Sequence, residues 1–386
     1  MKGVKKIIIP IVFALAGTSV TTYSFLDTFI ITKEYRGVYN ANNGASNFSF
    51  SFADLKSSSN NPSSSSSEHS SNSSSSSQSQ ASSSSSSSSS SQPPEEVSYY
   101  EDLTPEEINA LFTEEVVFEP KKHYSDPDIY IDITTGRFED FNTYYAADIR
   151  LRNASFIKTA LAQDKAGENF TEKTSDMCIR KHGILAVNGD TYGSQKNGYV
   201  IRNGQIIRKK KNTSRKKAED LAVYFDGRFE IFNENDYTIE EIAEKGAWQV
   251  FSFGPGLVNK REIIAQKGEE VGTALSQNRN QRCGIGMISP LHYVFVVSDG
   301  RIQESPGLSL YQLAMIMEEK HCYCAYNLDG GGSATMYFDD GSGNENGNGA
   351  LINICTQNWN FGSQLPEAPE TNDERGVSDC VYIGKE

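Results

Sequence analysis

Between Ser57 and Gln92 the chain is almost pure serine, broken only by Asn60-Asn61-Pro62, Glu68-His69, Asn72 and Gln78 to Ala81. Such a stretch cannot bury enough apolar surface to offset the entropy of ordering it. It has little charge and no aromatic residue. It therefore reads as a disordered, flexible tether, and no folded unit can be built across it. The tract divides the chain into a segment 1–32, a juxtamembrane segment 33–56, the linker 57–95, a lead-in helix within 96–115 and one large domain over 116–386.

The amino end reads as a membrane element. Lys2, Lys5 and Lys6 precede an apolar run from Ile7 to about Tyr23, with apolar residues continuing through Phe25, Leu26, Phe29 and Ile30. A run of roughly 17–25 such residues spans a bilayer, and the basic flank favours the cytoplasmic side. Signal peptides are built similarly but end sooner, at a small-x-small site. The continuing apolar residues favour an uncleaved signal anchor over a cleaved peptide. Both readings export the remainder of the chain, and the first makes a single-pass cell-membrane protein whose large domain is extracellular.

Net charge is −14, without a long block of either sign. The one basic cluster, "RKKKNTSRKK" at 208–217, reads as an exposed loop or as a contact for an anionic polymer. An exported acidic chain with one basic loop is a poor nucleic-acid binder and a better candidate for a cell-surface polyanion. The six cysteines contain no C-x-x-C pair, which argues against a zinc site.

Strand signals dominate the folded part. Asn203-Gly204 and Asp226-Gly227 each separate two alternating runs, the strongest short-range hairpin signal. "GILAVNGD", "WQVFSFGPGLV", "LHYVFVVSDGR", "CAYNLDGG" and "SDCVYIG" read as further strands. Helices are few. Thr104 with Glu107, Thr238 with Glu241 and Ser309 with Gln312 form capping boxes, and Met315 and Met317 of the last helix read as core. The predicted class is α+β: a single large domain with a mixed, mostly antiparallel sheet.

Three strand ends carry polar residues beside glycine: Asn188-Gly189-Asp190, Asp299-Gly300-Arg301 and Asp329-Gly330-Gly331-Gly332-Ser333. Each alone is an ordinary turn. Together, with Arg282 and Glu304 close by in sequence, they mark a candidate site. Three glycines in a row are costly to order, and expected where bare backbone N–H groups face an anion or where a loop turns tightly. G-x-S-x-G, G-x-x-x-x-G-K and H-E-x-x-H motifs are absent.

In order along the chain, "AVNGDTYG", "NGYVIRNG", "FSFGPGLV", "RCGIGM", "VVSDGRIQESPGLSLYQLA", "AYNLDGGGSATMYF" and "ERGVSDCVYIG" resemble the motifs of the phosphodiester glycosidase family over about residues 140–386. Cys283 departs from the threonine more usual after the arginine. The resemblance implies release of a sugar, GlcNAc-like, from a sugar-1-phosphodiester in a glycosyl-phosphate polymer or oligosaccharide. The departing phosphate needs an anion cradle, for which the turn Gly330, Gly331, Gly332 and Ser333 is the candidate, with Asn188, Arg282 and Arg301. The sugar carbon needs a carboxylate as nucleophile or as base for water. Asp190 and Asp329 lead, Glu304 is third, and Arg375 is either part of the site or an anchor for the last strand. The residues point to no definite cofactor, and Asp190 and Asp329 could together hold a hard cation such as calcium. A non-catalytic glycosyl-phosphate binding module in polymer assembly is the alternative, but a pure anion binder gains nothing from acids in its pocket.

Overall fold

Along the strand His292–Ser298, Tyr293, Phe295 and Val297 enter one apolar cluster while Val294 and Val296 enter another. This is the two-residue period of a strand buried on both faces. The computed structural model describes residues 32–34, 39–40, 97–213, 219–267, 279–357 and 365–386. The apolar amino-terminal run and the serine tract, and with them the signal anchor and the linker, lie outside the described residues. Among those described, no helix is long and apolar enough to cross a membrane.

Among the described residues, the expected single mixed sheet is instead three sheets of nine, six and five strands and a two-stranded ribbon. Every pairing between described strands is antiparallel. The physical reason is connectivity: parallel neighbours need long crossovers, usually helical, whereas hairpins need two residues. Asn203 and Gly204 both have positive φ, 48° and 74°, and join Val200–Arg202 to Gln205–Arg208. Such a turn matches the strand twist.

One apolar cluster joins the inner faces of the three sheets, with Ile131 and Phe295 from the nine-stranded sheet, Leu221 and Phe251 from the six-stranded sheet, and Val187 and Val381 from the five-stranded sheet. Each outer face is covered by a short helix: Leu310–Glu319 on the nine-stranded sheet, Ile239–Glu244 on the six-stranded and Thr174–Arg180 on the five-stranded. One shared core makes this a single large domain. In the helix Leu310–Glu319 Met317 is buried, but Met315 faces outward at 38% exposure. Leu313, Ala314, Ile316 and Met317 already fill the covered stripe. All six cysteines are buried and unpaired.

The segments flanking the serine tract are both attached to the domain. Lys33–Glu34 pairs with Gly167–Glu168, and Tyr39–Asn40 adds to the open edge of the six-stranded sheet beside Gln205–Ile206. After the tract, Tyr100 stacks on His321 with ring centroids 3.8 Å apart, and Glu101 takes both Arg150 bonds at 2.8 and 3.0 Å. Residues on both sides of the serine tract thus contact the same domain. The gain is the satisfaction of otherwise open strand edges.

Candidate active site

The site lies where strands of the nine- and five-stranded sheets end side by side. Asn188 closes the strand Leu185–Asn188, and its Nδ2 donates to the carbonyl of Asp329 at 2.7 Å. Its Oδ1 accepts from the N–H of Thr335 at 3.2 Å, and the Asp329 N–H donates to the carbonyl of Gly189 at 3.2 Å. Asn188 is thus a bracket that fixes both ends of the glycine turn.

Three N–H groups of the glycine run bond within the protein. The Gly330 N–H bonds Asp329 Oδ1 at 2.9 Å, the Gly331 N–H bonds the Gln281 carbonyl at 2.9 Å, and the Ser333 N–H bonds the Gly330 carbonyl at 3.2 Å. These three N–H groups are turned inward on the protein. What the glycines permit is close approach. A Cβ on Gly330 would stand 2.7 Å from the Gln281 carbonyl oxygen, and one on Gly331, whose φ is +60°, 2.7 Å from Arg301 Nη2.

Arg282, Arg301 and Arg375 gather about Asp329. Arg375 Nη2 lies 3.4 Å from Asp329 Oδ2 and also bonds Ser333 Oγ. Arg282 is buried, its Nε donating to the Leu308 carbonyl at 2.9 Å. Burial, then the charge of Arg301, bring Arg282 down to about 10 against the opposing pull of Asp329. Arg301 is lowered by burial and then by Arg375, again opposed by Asp329. Burial pushes the Asp329 carboxyl up, the bond from Ser333, the Arg375 charge and the Gly330 N–H pull it back, and Asp190 adds to the rise. The Asp329 side chain stays 14% exposed and that of Arg375 34%, so the cluster opens to solvent on their side.

Asp190 is placed differently. Only 1% exposed, it accepts at Oδ1 from Arg202 Nη2 at 2.6 Å and the Tyr192 N–H at 3.1 Å, and at Oδ2 from the Ser252 N–H at 2.8 Å. Both oxygens are committed. Glu304 is exposed in the turn closed by the Ser305 N–H on the Ile302 carbonyl, and among the described residues it takes no part in the bonds that tie the cluster together. Asp299 anchors its loop by accepting from the Ile354 N–H at 2.7 Å and Tyr145 OH at 3.3 Å, and burial raises it to about 6 against those two bonds. No group of three or more His, Cys, Asp or Glu among the described residues is placed to hold a metal ion. A cavity of about 270 Å3 along the edge strand Ile157–Leu161, lined by Lys158, Asn203 and Trp248, shares no residue with the Asp329 cluster.

Sequence reasoning passed over Arg202 and Asp379. Arg202 Nε donates to Asp379 Oδ2 at 2.9 Å, and both side chains are almost wholly buried. Burial opposes the charge on Arg202, but Asp190 and Asp379 outweigh it and hold the guanidinium protonated. The available signal was a charged residue inside each of two otherwise apolar strands, "YVIR" and "DCVYI".

Residues 181–383 match the family model of the phosphodiester glycosidases. The chain is similar in fold to the catalytic domain of zebrafish N-acetylglucosamine-1-phosphodiester alpha-N-acetylglucosaminidase, auto-inhibited by its pro-peptide, with a TM-score of 0.50 and 19% identity over 75% of this chain and 96% of that one. It is also 27% identical over 172 residues to the SPbeta prophage-derived uncharacterized protein YomE of Bacillus subtilis (strain 168), covering 44% of this chain. The match spans only 26% of that relative's length. The Asn188 bracket, the turn Gly330–Ser333 and the arginine-ringed Asp329 all fall inside the matched residues, and the chain belongs to the phosphodiester glycosidase family.

Proposed function

We propose that the protein is an exported, membrane-anchored hydrolase that releases a sugar from a sugar-1-phosphodiester in a cell-surface glycopolymer. The observation that carries this reading is the gathering of three guanidinium groups about one partly accessible carboxylate. Arg301 disfavours the charge on Arg282, and Arg375 that on Arg301, and a phosphate between them relieves this repulsion. Cleavage of the bond between C1 and the phosphate oxygen leaves a second negative charge on the departing group. Preorganised guanidinium groups stabilise that charge as it develops, so a strong general acid matters less. Asp329 supplies the carboxylate beside the anomeric carbon. The apolar amino-terminal run supports placing the domain outside the cell.

The test is incubation of the protein with a panel of sugar-1-phosphodiesters, with and without chelator, following free sugar. Turnover abolished by Asp329→Asn supports the reading. Binding of the panel without any sugar release would replace it with that of a glycosyl-phosphate binding module.

A further inference from the structure

Behind Asp329 lies a buried chain of contacts whose geometry points to a role for Arg202. We propose that Arg202 is a positioning residue for the hydrolysis: by bridging Asp190 and Asp379 it fixes Gly189, and through Gly189 the backbone of Asp329. The proposal rests on the reading of Asp329 as the reacting carboxylate.

Each link is a short contact. Arg202 holds Asp190 at 2.6 Å and Asp379 at 2.9 Å. The Asp379 carbonyl accepts the Gly189 N–H at 2.9 Å, and the Gly189 carbonyl accepts the Asp329 N–H at 3.2 Å. The Asp379 carboxyl also lies directly on Gly189, where a Cβ would stand 2.3 Å from Oδ1. A shift of that carboxyl is therefore transmitted to the backbone that holds Asp329. Arg202 belongs to the six-stranded sheet, Asp379 to the five-stranded sheet, and Asp329 follows a strand of the nine-stranded sheet. The triad is an ionic seam between the six- and five-stranded sheets, beside the point where Asp329 leaves the nine-stranded one.

Stability is a poor explanation for it. Two acids and one guanidinium are shut in a seam where all three side chains are 0–2% exposed, and burial raises the Asp379 carboxyl to about 7 against the pull of Arg202. Buried ionic groups of this kind are often matched or bettered by apolar residues of similar volume. The guanidinium is also shaped to its place, 4.5 Å from the centroid of the Phe251 ring, with Nη1 donating to the Ile201 carbonyl at 3.1 Å. A planar fork that bridges two acids fixes their separation, which a point charge does not.

The experiment uses the whole chain in two forms: Arg202→Lys, and the neutral seam combining Asp190→Asn, Arg202→Met and Asp379→Asn. Turnover of a sugar-1-phosphodiester, affinity for inorganic phosphate and thermal melting are measured for each. The neutral seam is expected to melt cooperatively and to keep KM and phosphate affinity within about threefold. Its kcat is expected to fall about 100-fold, the cost of misplacing a reacting group by about an ångström. Arg202→Lys should lie between the neutral seam and the wild type. A folded neutral seam with wild-type kcat, or a loss confined to KM and phosphate affinity, overturns the proposal. If the neutral seam does not fold, Arg202→Lys decides: a lowered kcat with an intact melt supports positioning, and an unchanged kcat overturns it. If the wild type releases no sugar, it is the hydrolase reading that fails. Positioning is then judged from a crystal structure of Arg202→Lys, where an unmoved Asp329 overturns it and a displaced one supports it.

Discussion

The guanidinium of Arg301 rests against the bare Cα of Gly331, where a side chain would stand 2.7 Å from Nη2. Glycine is required there twice over, because φ at this residue is +60°. Gly331→Val is expected to displace Arg301 and weaken the anion site. KM for a sugar-1-phosphodiester should rise about tenfold or more, with a stability loss of about 1–3 kcal/mol from the strained backbone. Steady-state kinetics and a thermal melt check both. An unchanged KM would show that Arg301 does not meet the phosphate.

Asp329→Asn is nearly isosteric and retains an acceptor for the Gly330 N–H. Turnover should drop by about a thousandfold or more if the carboxylate acts as base or nucleophile. Since burial raises the wild-type carboxyl, the neutral variant should melt no lower than the wild type near pH 7. Near-normal sugar release with a native melt would remove Asp329 from the chemistry.

Arg375→Lys separates charge from shape. Both Asp329 and Ser333 are met by one nitrogen, Nη2, which stands one bond farther from the backbone than a lysine ammonium does. We expect kcat/KM to fall about 10- to 100-fold, because charge-assisted bonds of this kind contribute about 1.5–3 kcal/mol each. Wild-type kinetics in this variant would assign Arg375 to holding the last strand.

Asp299 makes a pH prediction. Burial raises its folded pKa to about 6, above an unfolded value of about 3.9. The folded state then binds the proton more tightly, so this group's contribution to stability falls as pH rises from about 4 to about 6 and is flat above. In Asp299→Asn that loss is absent. The melting temperature of the variant relative to the wild type should climb between pH 4 and pH 6. A difference independent of pH would mean that Asp299 titrates normally.

The pairing of residues 33–34 and 39–40 with the domain bears on truncation. A chain that begins at Val97 leaves the edges at Gly167–Glu168 and Gln205–Arg208 open. It should still fold on the shared core but self-associate more than one beginning at Thr32, as open strand edges do. Sedimentation of the two chains compares them. Equal monomer content would show that the amino-terminal strands protect nothing.

Local pattern determined much of this protein. The capping boxes at Thr104, Thr238 and Ser309 all form, and the Asn203-Gly204 and Asp226-Gly227 turns join paired strands. Each is a contact between residues a few positions apart, so its chemistry is legible in a short window. The run Asp329 to Ser333 was legible as a place where backbone must come close to something. That the backbone there comes close to Arg301 and the Gln281 carbonyl depended on the packing of distant strands. The same holds for Asp190, which met Arg202, and for Asp379, which is 177 residues from Arg202 in sequence. Asp190 looked like Asp329 in the chain, an aspartate beside glycine at a strand end. Tertiary structure separated them, by enclosing one with a guanidinium and two N–H groups and leaving the other partly exposed among arginines. A carboxylate's role is set by its neighbours and its access to water, and both are decided by which strands come to lie side by side.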